Sequence, residues 1–170
     1  NLAVAGNLVV GGEITAVNTL SVSGTTDLGG NVTTLASQTY SGNVTLSGGD
    51  RTLTGTLVTF GSAAEGGSNA LQVTGPFTTG GAVENLASLN VTAAATLGGN
   101  VTSSGDQTYG AGVTLTTDAT LAANLASFTG AVDGGSNNFA VTGDAAFTTS
   151  VSNVAVFGVT GTASLGGDVT

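Results

Sequence analysis

The chain has 170 residues and a net charge of −9 at pH 7; 40% of its residues are hydrophobic and only 6% are charged, against about 25% charged in an ordinary soluble domain. Arg51 is the only cation, and Cys, His, Lys, Met and Trp are absent. This composition excludes disulfides, thiolate and histidine chemistry and lysine nucleophiles, and it disfavours nucleic acid and anionic membranes as partners.

Short stretches of alternating apolar and hydroxyl residues run along the whole chain. In order they include Leu20–Val22, Val44–Leu46, Leu57–Phe60 and Val113–Leu115. This period of two predicts half-buried strands, and the glycine-rich clusters between them predict turns. No segment keeps a helical period, and no apolar run is long enough for a transmembrane helix. We therefore expect an all-β chain without membrane insertion.

The sequence repeats with an offset of 68 or 69 positions. Leu28–Thr33 recurs as Leu97–Thr102 and again as Leu165–Thr170. A fixed period of this kind is typical of solenoids. We predict one β-solenoid segment over residues 1–170, made of a partial repeat (1–27), two repeats (28–96 and 97–164) and the start of another (165–170).

A shorter spacing lies inside each repeat. Leu20, Tyr40 and Phe60 are evenly spaced, but Leu71 follows Phe60 after little more than half that interval. Three turns averaging about 23 residues or four averaging about 17 both fit the repeat. Short strands joined by glycine corners at this spacing predict a parallel β-helix with a narrow apolar core.

The repeats resemble those of giant bacterial surface proteins of the filamentous-haemagglutinin and autotransporter-adhesin type. The similarity lies in Gln38–Leu46, Val58–Phe60 and Leu97–Thr102. This resemblance implies a right-handed parallel β-helix, export to the cell surface, and an adhesive or scaffolding role with a host or cell-surface glycan as a partner. Neither end of the chain resembles a cap, which predicts either a longer solenoid or end-to-end self-association.

Two acidic residues are candidates for calcium binding. Glu65 and Asp133 precede Gly-Gly-Ser-Asn at equivalent places in the repeat, and carboxylate and carbonyl oxygens are the ligands that Ca²⁺ prefers. The alternative is an acidic residue that solvates a long corner, and this alternative is favoured because the nonapeptide calcium motif is absent. We therefore predict no cofactor, with calcium as the only candidate.

Asn-Val-Thr triplets begin at Asn31, Asn43, Asn90 and Asn100 and have the form of glycosylation acceptors. A corner Asn followed by a strand produces the same triplet, and we expect the Asn side chains to bond nearby backbone in turns. The recurring aromatic residues form either a sugar-binding track or core filling, and their place in the apolar alternation favours the core. They are Tyr40, Tyr109, Phe60, Phe128, Phe77 and Phe147.

Threonine, with 30 residues, suggests a further possibility. Regular threonine ranks on a flat solenoid face are a feature of some ice-binding proteins, and Thr52–Thr54, Thr114–Thr116 and Thr148–Thr149 hint at such ranks. These pairs do not recur at one turn spacing in the sequence. The short interval between Phe60 and Leu71 is also expected to interrupt a flat array.

No catalytic site is predicted. Paired carboxylates are the remaining option for hydrolysing glycosides, but Asp27, Asp106, Asp118 and Asp144 occur singly in Gly, Ser and Thr contexts. We predict a non-catalytic structural segment of an extracellular filament or giant cell-surface adhesin. The alternative is an ice-binding or glycan-binding β-solenoid module.

Overall fold

The computed structural model describes residues 1–170 and contains strands but no helix. The four strands predicted from the sequence are present with the predicted bounds. The strands are β1 (Leu2–Val4), β2 (Leu8–Val10), β3 (Ile14–Val17), β4 (Leu20–Val22), β5 (Thr26–Leu28), β6 (Val32–Thr34), β7 (Ser37–Tyr40), β8 (Val44–Leu46), β9 (Arg51–Thr54), β10 (Leu57–Phe60), β11 (Ala64–Glu65), β12 (Leu71–Thr74), β13 (Phe77–Thr79), β14 (Val83–Leu86), β15 (Leu89–Val91), β16 (Ala95–Leu97), β17 (Val101–Ser103), β18 (Gln107–Tyr109), β19 (Val113–Leu115), β20 (Ala119–Phe128), β21 (Val132–Phe147), β22 (Val151–Val159) and β23 (Ala163–Leu165).

The strands wind into a three-sided β-solenoid. Up to β17, each strand pairs in parallel with the third strand after it, so that three stacks form three faces. Face 1 begins with β1, β4 and β7, face 2 with β2, β5 and β8, and face 3 with β3, β6 and β9. The longer strands β20, β21 and β22 bend through the corners and contribute to more than one face. The predicted parallel β-solenoid is therefore confirmed.

One turn of the solenoid takes 17 to 21 residues, which is the sequence separation of residues that pair between neighbouring turns. In the strand register, Leu20 lies opposite Leu2, and Val58 lies opposite Gln38. About nine such turns fill the chain. The short interval from Phe60 to Leu71 is no interruption, because Phe60 ends β10 on face 1 and Leu71 begins β12 on face 3. The expected break in the array was wrong.

The sequence repeat does not fill a whole number of turns. Tyr40 lies on β7 of face 1, and Tyr109, its counterpart in the next repeat, lies on β18 of face 3. The two tyrosines are eleven strands apart, which is three turns and two further strands. Neither three nor four turns per repeat is correct, and each step of the repeat moves a residue to a different face.

Backbone conformation recurs at equivalent places of the repeat. Ala16, Asn85 and Asn153 are counterparts in the sequence, and all three are left-handed, with φ of 59°, 54° and 54°. Their strands are on faces 3, 2 and 1 respectively. A register irregularity is present beside Ala16 and beside Asn85, as expected where one residue bulges out of a strand.

A single apolar core runs along the axis. It contains 35 buried residues, among them the inward-facing valines and leucines of all three faces. The six aromatic residues named above are all buried, at 0 to 3% exposure. Phe128 stacks on Phe147 with 4.6 Å between ring centroids, and Tyr40 meets Phe60 edge to face at 5.7 Å. The expectation that these aromatics fill the core is confirmed.

Two buried glutamines complete the interior. Gln38 donates from Nε2 to the carbonyl oxygens of Val32 and Thr54, at 3.0 and 2.7 Å, and its Oε1 accepts from the Tyr40 hydroxyl at 2.9 Å. A hydrogen bond of this kind contributes about 0.5–1.5 kcal/mol net to stability. The Gln-Thr-Tyr motif therefore ties β6 to β9 on the next turn and satisfies its own buried polar groups.

Arg51, the only cation, is also directed inward and is 9% exposed. Its guanidinium donates to the backbone carbonyls of Leu28 (2.7 Å), Asp50 (2.6 Å) and Ser47. Its counterpart in the next repeat is Ala119. The offset between the repeats shortens by one position just before Arg51, because the preceding corner carries one additional residue. This longer corner makes room for the larger side chain.

Candidate binding faces

The three faces present different outward side chains, because successive residues of a strand point to opposite sides. On face 2, register aligns Asp27, Thr45, Glu65 and Glu84 in one column. On face 3, amides and hydroxyls follow one another in the column Thr52, Gln72, Asn90, Thr108 and Ser127. Acidic groups are therefore concentrated on face 2, and face 3 is mixed and polar.

Face 1 carries an unbroken column of threonines, which we name the Thr ladder. Each member lies opposite the next in register on successive strands, one turn apart, and the ladder consists of Thr39, Thr59, Thr78, Thr96 and Thr114. Ser21 precedes the ladder and Asp133 follows it. The pairs Thr52–Thr54, Thr114–Thr116 and Thr148–Thr149 do not form this column, and only Thr114 among them belongs to it. The column is hidden in the sequence because the turn length between its members varies from 18 to 20 residues.

The side chains of the Thr ladder lie on the outward side of their strands. Thr39, Thr59, Thr78 and Thr96 are half-buried and Thr114 is exposed. Elsewhere threonine hydroxyls are used internally: those of Thr129 and Thr148, for example, donate to the carbonyls of Tyr109 and Phe128. The five ladder hydroxyls have no hydrogen-bond partner within the chain and are available to bind an external group.

The two calcium candidates are held by the protein itself. Glu65 accepts from the Gly67 amide at 3.1 Å and from the Asn85 side chain at 3.0 Å. Asp133 accepts in the same way from Gly135 and Asn153, at 3.0 and 3.1 Å. The hydrogen bond from Gly135 lowers the pKa of Asp133, and that from Asn153 adds to the effect. Each carboxylate caps a tight turn and ties it to the next turn of the solenoid.

The structure brings no group of three or more acidic side chains together in a geometry that could hold a metal ion. Glu65 and Glu84 are direct neighbours in register on face 2. Sequence reasoning missed this pair because the two residues lie a full turn apart along the chain. The turn length is the signal that would pair them, and it varies along the chain.

Three of the other carboxylates considered as a catalytic pair are exposed and accept hydrogen bonds from the following turn. Asp106 accepts from the Asn124 side chain at 2.9 Å, Asp118 from the Asn138 amide at 2.8 Å, and Asp144 from the Thr162 amide at 2.7 Å. Asp27 lies in β5, and its Oδ1 has no partner. Most of these acids therefore link one turn to the next.

The Asn-Val-Thr triplets have a similar linking role, but not through local backbone as expected. The Oδ1 atoms of Asn31 and Asn100 accept from the amides of Thr52 and Thr120 on the following turn, at 2.9 and 2.8 Å. Asn43 accepts from the Ser62 hydroxyl at 2.6 Å.

The turn prediction was wrong for Asn90. This residue is the middle of β15 and faces outward. The other three asparagines lie just before strands, at corners, as predicted.

Two surface grooves occupy counterpart positions of the repeat. One, of about 290 Å³, lies on face 3 beside Asp50 and is lined by Gln72 and Asn90. The other, of about 420 Å³, lies on face 2 beside Asp118, where Ala140 and Gly158 replace the two amides. The grooves therefore share a backbone shape but not a set of binding groups.

Since the chain contains no helix, it has no helical segment that could cross a membrane. Comparison with models of protein families, with curated proteins and with solved structures finds no match.

Proposed function

We propose that this chain is a structural, non-catalytic segment of an extracellular filament or of a giant cell-surface adhesin. The observation that carries this proposal is the parallel ladder that continues through about nine turns without a change of fold. Parallel strands are spaced about 4.8 Å apart, so that the stack spans roughly 40 Å along its axis. A uniform stack of this kind serves to hold surfaces apart or to present them at a distance.

Resistance to deformation would come from hydrogen bonds along the axis. The chain has 104 backbone–backbone hydrogen bonds, and those between strands join each turn to its neighbours. Side-chain bonds such as those of Asn31, Asn100 and Asp144 add further links between turns. Stretching the rod along its axis would load many of these bonds together.

The surface chemistry is compatible with an exposed fibre. The single cation is buried, and the ten acidic residues leave a net charge of −9 at pH 7. Like charges on neighbouring rods repel, and this would limit lateral aggregation. Burial of Arg51 also removes the only site for trypsin-like proteases from the surface, an advantage outside the cell.

The test uses an antibody raised against the 170-residue protein. It is applied to intact and to permeabilised source cells, and to an immunoblot of the native polypeptide. Labelling of intact cells together with a mass of hundreds of kilodaltons supports the proposal. Labelling of intact cells with a mass near 16.1 kDa supports a filament of small subunits rather than a giant adhesin. Labelling that requires permeabilisation would overturn the extracellular assignment.

A further inference from the structure

The Thr ladder is a property of face 1 alone. The sequence counterparts of Thr59 and Thr78 in the next repeat are Ser127 and Ala146, both on face 3. The counterpart of Thr96 in the previous repeat is Asp27, on face 2. Thr39 and Thr114 have threonine counterparts, Thr108 on face 3 and Thr45 on face 2. The repeat by itself therefore does not produce the column, since it places other residue types at the counterparts of three of the five members.

The strands that carry the ladder contain no charged residue. They are β7, β10, β13, β16 and β19. The nearest carboxylate in the column is Asp133, one turn beyond Thr114. Over about 20 Å the column thus offers only hydroxyl and methyl groups at intervals of about 4.8 Å.

The corner beside the ladder carries little that projects above it. Gly61, Gly80 and Gly98 follow the inward-facing ends of three successive strands, and a Cβ on Gly80 would lie 2.6 Å from the Gly61 carbonyl oxygen. The backbones of neighbouring turns meet closely at Gly80 and Gly98, whereas Ser41 and Thr116 take the same position on the first and last turns of the ladder. A flat object can therefore approach the three central threonines from this side.

We propose that the Thr ladder binds the surface of ice. Water molecules in ice recur along the crystal at intervals comparable with the spacing of solenoid turns, so that several hydroxyls can bond to the lattice at once. Threonine suits this role because its branched side chain restricts rotation on a strand, and ordering costs little when a rigid group binds. The methyl groups would pack against the lattice between the bonded positions.

Electrostatics favours ice over a charged partner. A protein or nucleic-acid partner gains specificity from complementary charges, and face 1 offers none between Ser21 and Thr114. Face 2 carries Glu65 and Glu84 and is unsuited to the same role. Ice binding is independent of the proposed structural function, because it concerns one face of the rod and not its place in the cell.

The experiment measures incorporation of the purified 170-residue chain into slowly growing ice, and thermal hysteresis by nanolitre osmometry. The test variant is Thr78→Tyr, at the centre of the ladder. The matched control is Ala146→Tyr, which changes the counterpart position on face 3. Both positions face outward in the middle of a strand segment, and tyrosine is a good strand residue. Circular dichroism establishes that both variants are folded.

We expect the unmodified chain and Ala146→Tyr to enter the ice and Thr78→Tyr to be left in the liquid. The thermal hysteresis of Thr78→Tyr should be reduced about tenfold, because the bulky ring holds the lattice away from the other hydroxyls. If Thr78→Tyr does not fold, Thr59→Tyr with Ser127→Tyr as its control takes its place. Exclusion of the unmodified chain from ice, or equal loss in both variants, would overturn the proposal. The proposal would also be overturned if the unmodified chain shows no affinity for ice but is retained on a polysaccharide column, and Thr78→Tyr abolishes this retention.

Discussion

Tyr40 and Tyr109 occupy the same position of the sequence repeat but lie on different faces of the solenoid. Each hydroxyl donates to the glutamine two residues earlier, at 2.9 Å for Tyr40 and 3.0 Å for Tyr109. The hydrogen bonds of the two residues are therefore alike although one is on face 1 and the other on face 3. The ring packing differs, since Tyr40 meets Phe60 edge to face and Tyr109 stacks on Phe128. It follows that the buried hydrogen bonds of a strand depend on its position in the repeat and not on the face that it joins.

Deletion of one repeat should therefore leave a folded solenoid. When residues 49–117 are removed, Asp118 follows residues 46–48. These are the counterparts of residues 115–117, which precede Asp118 in the native chain. We expect one cooperative thermal transition by circular dichroism. A chain without residues 58–112, three whole turns, keeps every later strand on its face but joins non-equivalent turns. It should melt at a lower temperature although it is longer, and the opposite order would contradict the interchangeability of the faces.

The buried glutamines should be necessary for stability. Gln107 donates to the carbonyls of Val101 and Ala122, at 3.1 and 2.9 Å, and accepts from Tyr109. Gln107→Leu removes these three hydrogen bonds and leaves the Tyr109 hydroxyl without its partner in the core, and we expect the free energy of unfolding in urea to fall by about 3 kcal/mol. Thr108→Val, on the outward side of the same strand, should change it by less than about 0.5 kcal/mol. Equal effects of the two substitutions would disagree with this account.

Close approach of neighbouring turns should make one glycine irreplaceable. Gly143 has φ of 118°, and a Cβ there would collide with the Ala123 carbonyl oxygen. We expect Gly143→Ala to destabilise the fold by more than about 2 kcal/mol, since the backbone has to move. Gly158 has no atom within 4 Å of its Cβ position and provides the control. Chemical denaturation of the two alanine variants, compared with the unmodified chain, tests the difference.

Acid should weaken the corner that Asp133 caps. Its pKa is lowered by the hydrogen bonds from Gly135 and Asn153, so that its contribution to stability is complete above the ordinary aspartate pKa of about 3.9. This contribution is lost as the pH falls through the lowered value. The melting temperature of Asp133→Asn should therefore be below that of the unmodified chain at pH 7 and approach it in acid. A difference that stays constant with pH would remove Asp133 as the cause.

Trypsin should cut the native chain very slowly. Arg51 provides the only site, and its guanidinium is engaged by the carbonyls of Leu28, Asp50 and Ser47 inside the solenoid. Cleavage requires local unfolding of β9, which is hydrogen-bonded between β6 and β12. The urea-unfolded chain should give fragments 1–51 and 52–170 at once, as seen by mass spectrometry. Rapid cleavage of the native chain would argue against a continuous rod.

Much of the fold could be predicted because its signals are local. Alternation of apolar and hydroxyl residues identified Leu20–Val22 and Val113–Leu115 as strands, since neighbouring residues of a strand face opposite sides. The same alternation placed Tyr40 and Phe60 in the core. The Thr ladder was less predictable, because its members are separated by a whole turn of chain. A shift of one residue in the strand register would also turn a threonine inward.

By itself the sequence determined the class of fold, the repeat and the chemistry that is absent, because composition and period two do not depend on how the turns stack. Only the tertiary structure decided that a turn has three strands, and hence which residues align. The number of residues in a turn varies with its corners and bulges, such as the left-handed Ala16 and the longer corner before Arg51, so that alignment cannot be obtained by counting residues. Since eleven strands are not a multiple of three, the repeat rotates from face to face. This rotation, with the residues that differ between repeats, places five threonines in line on one face and carboxylates on another.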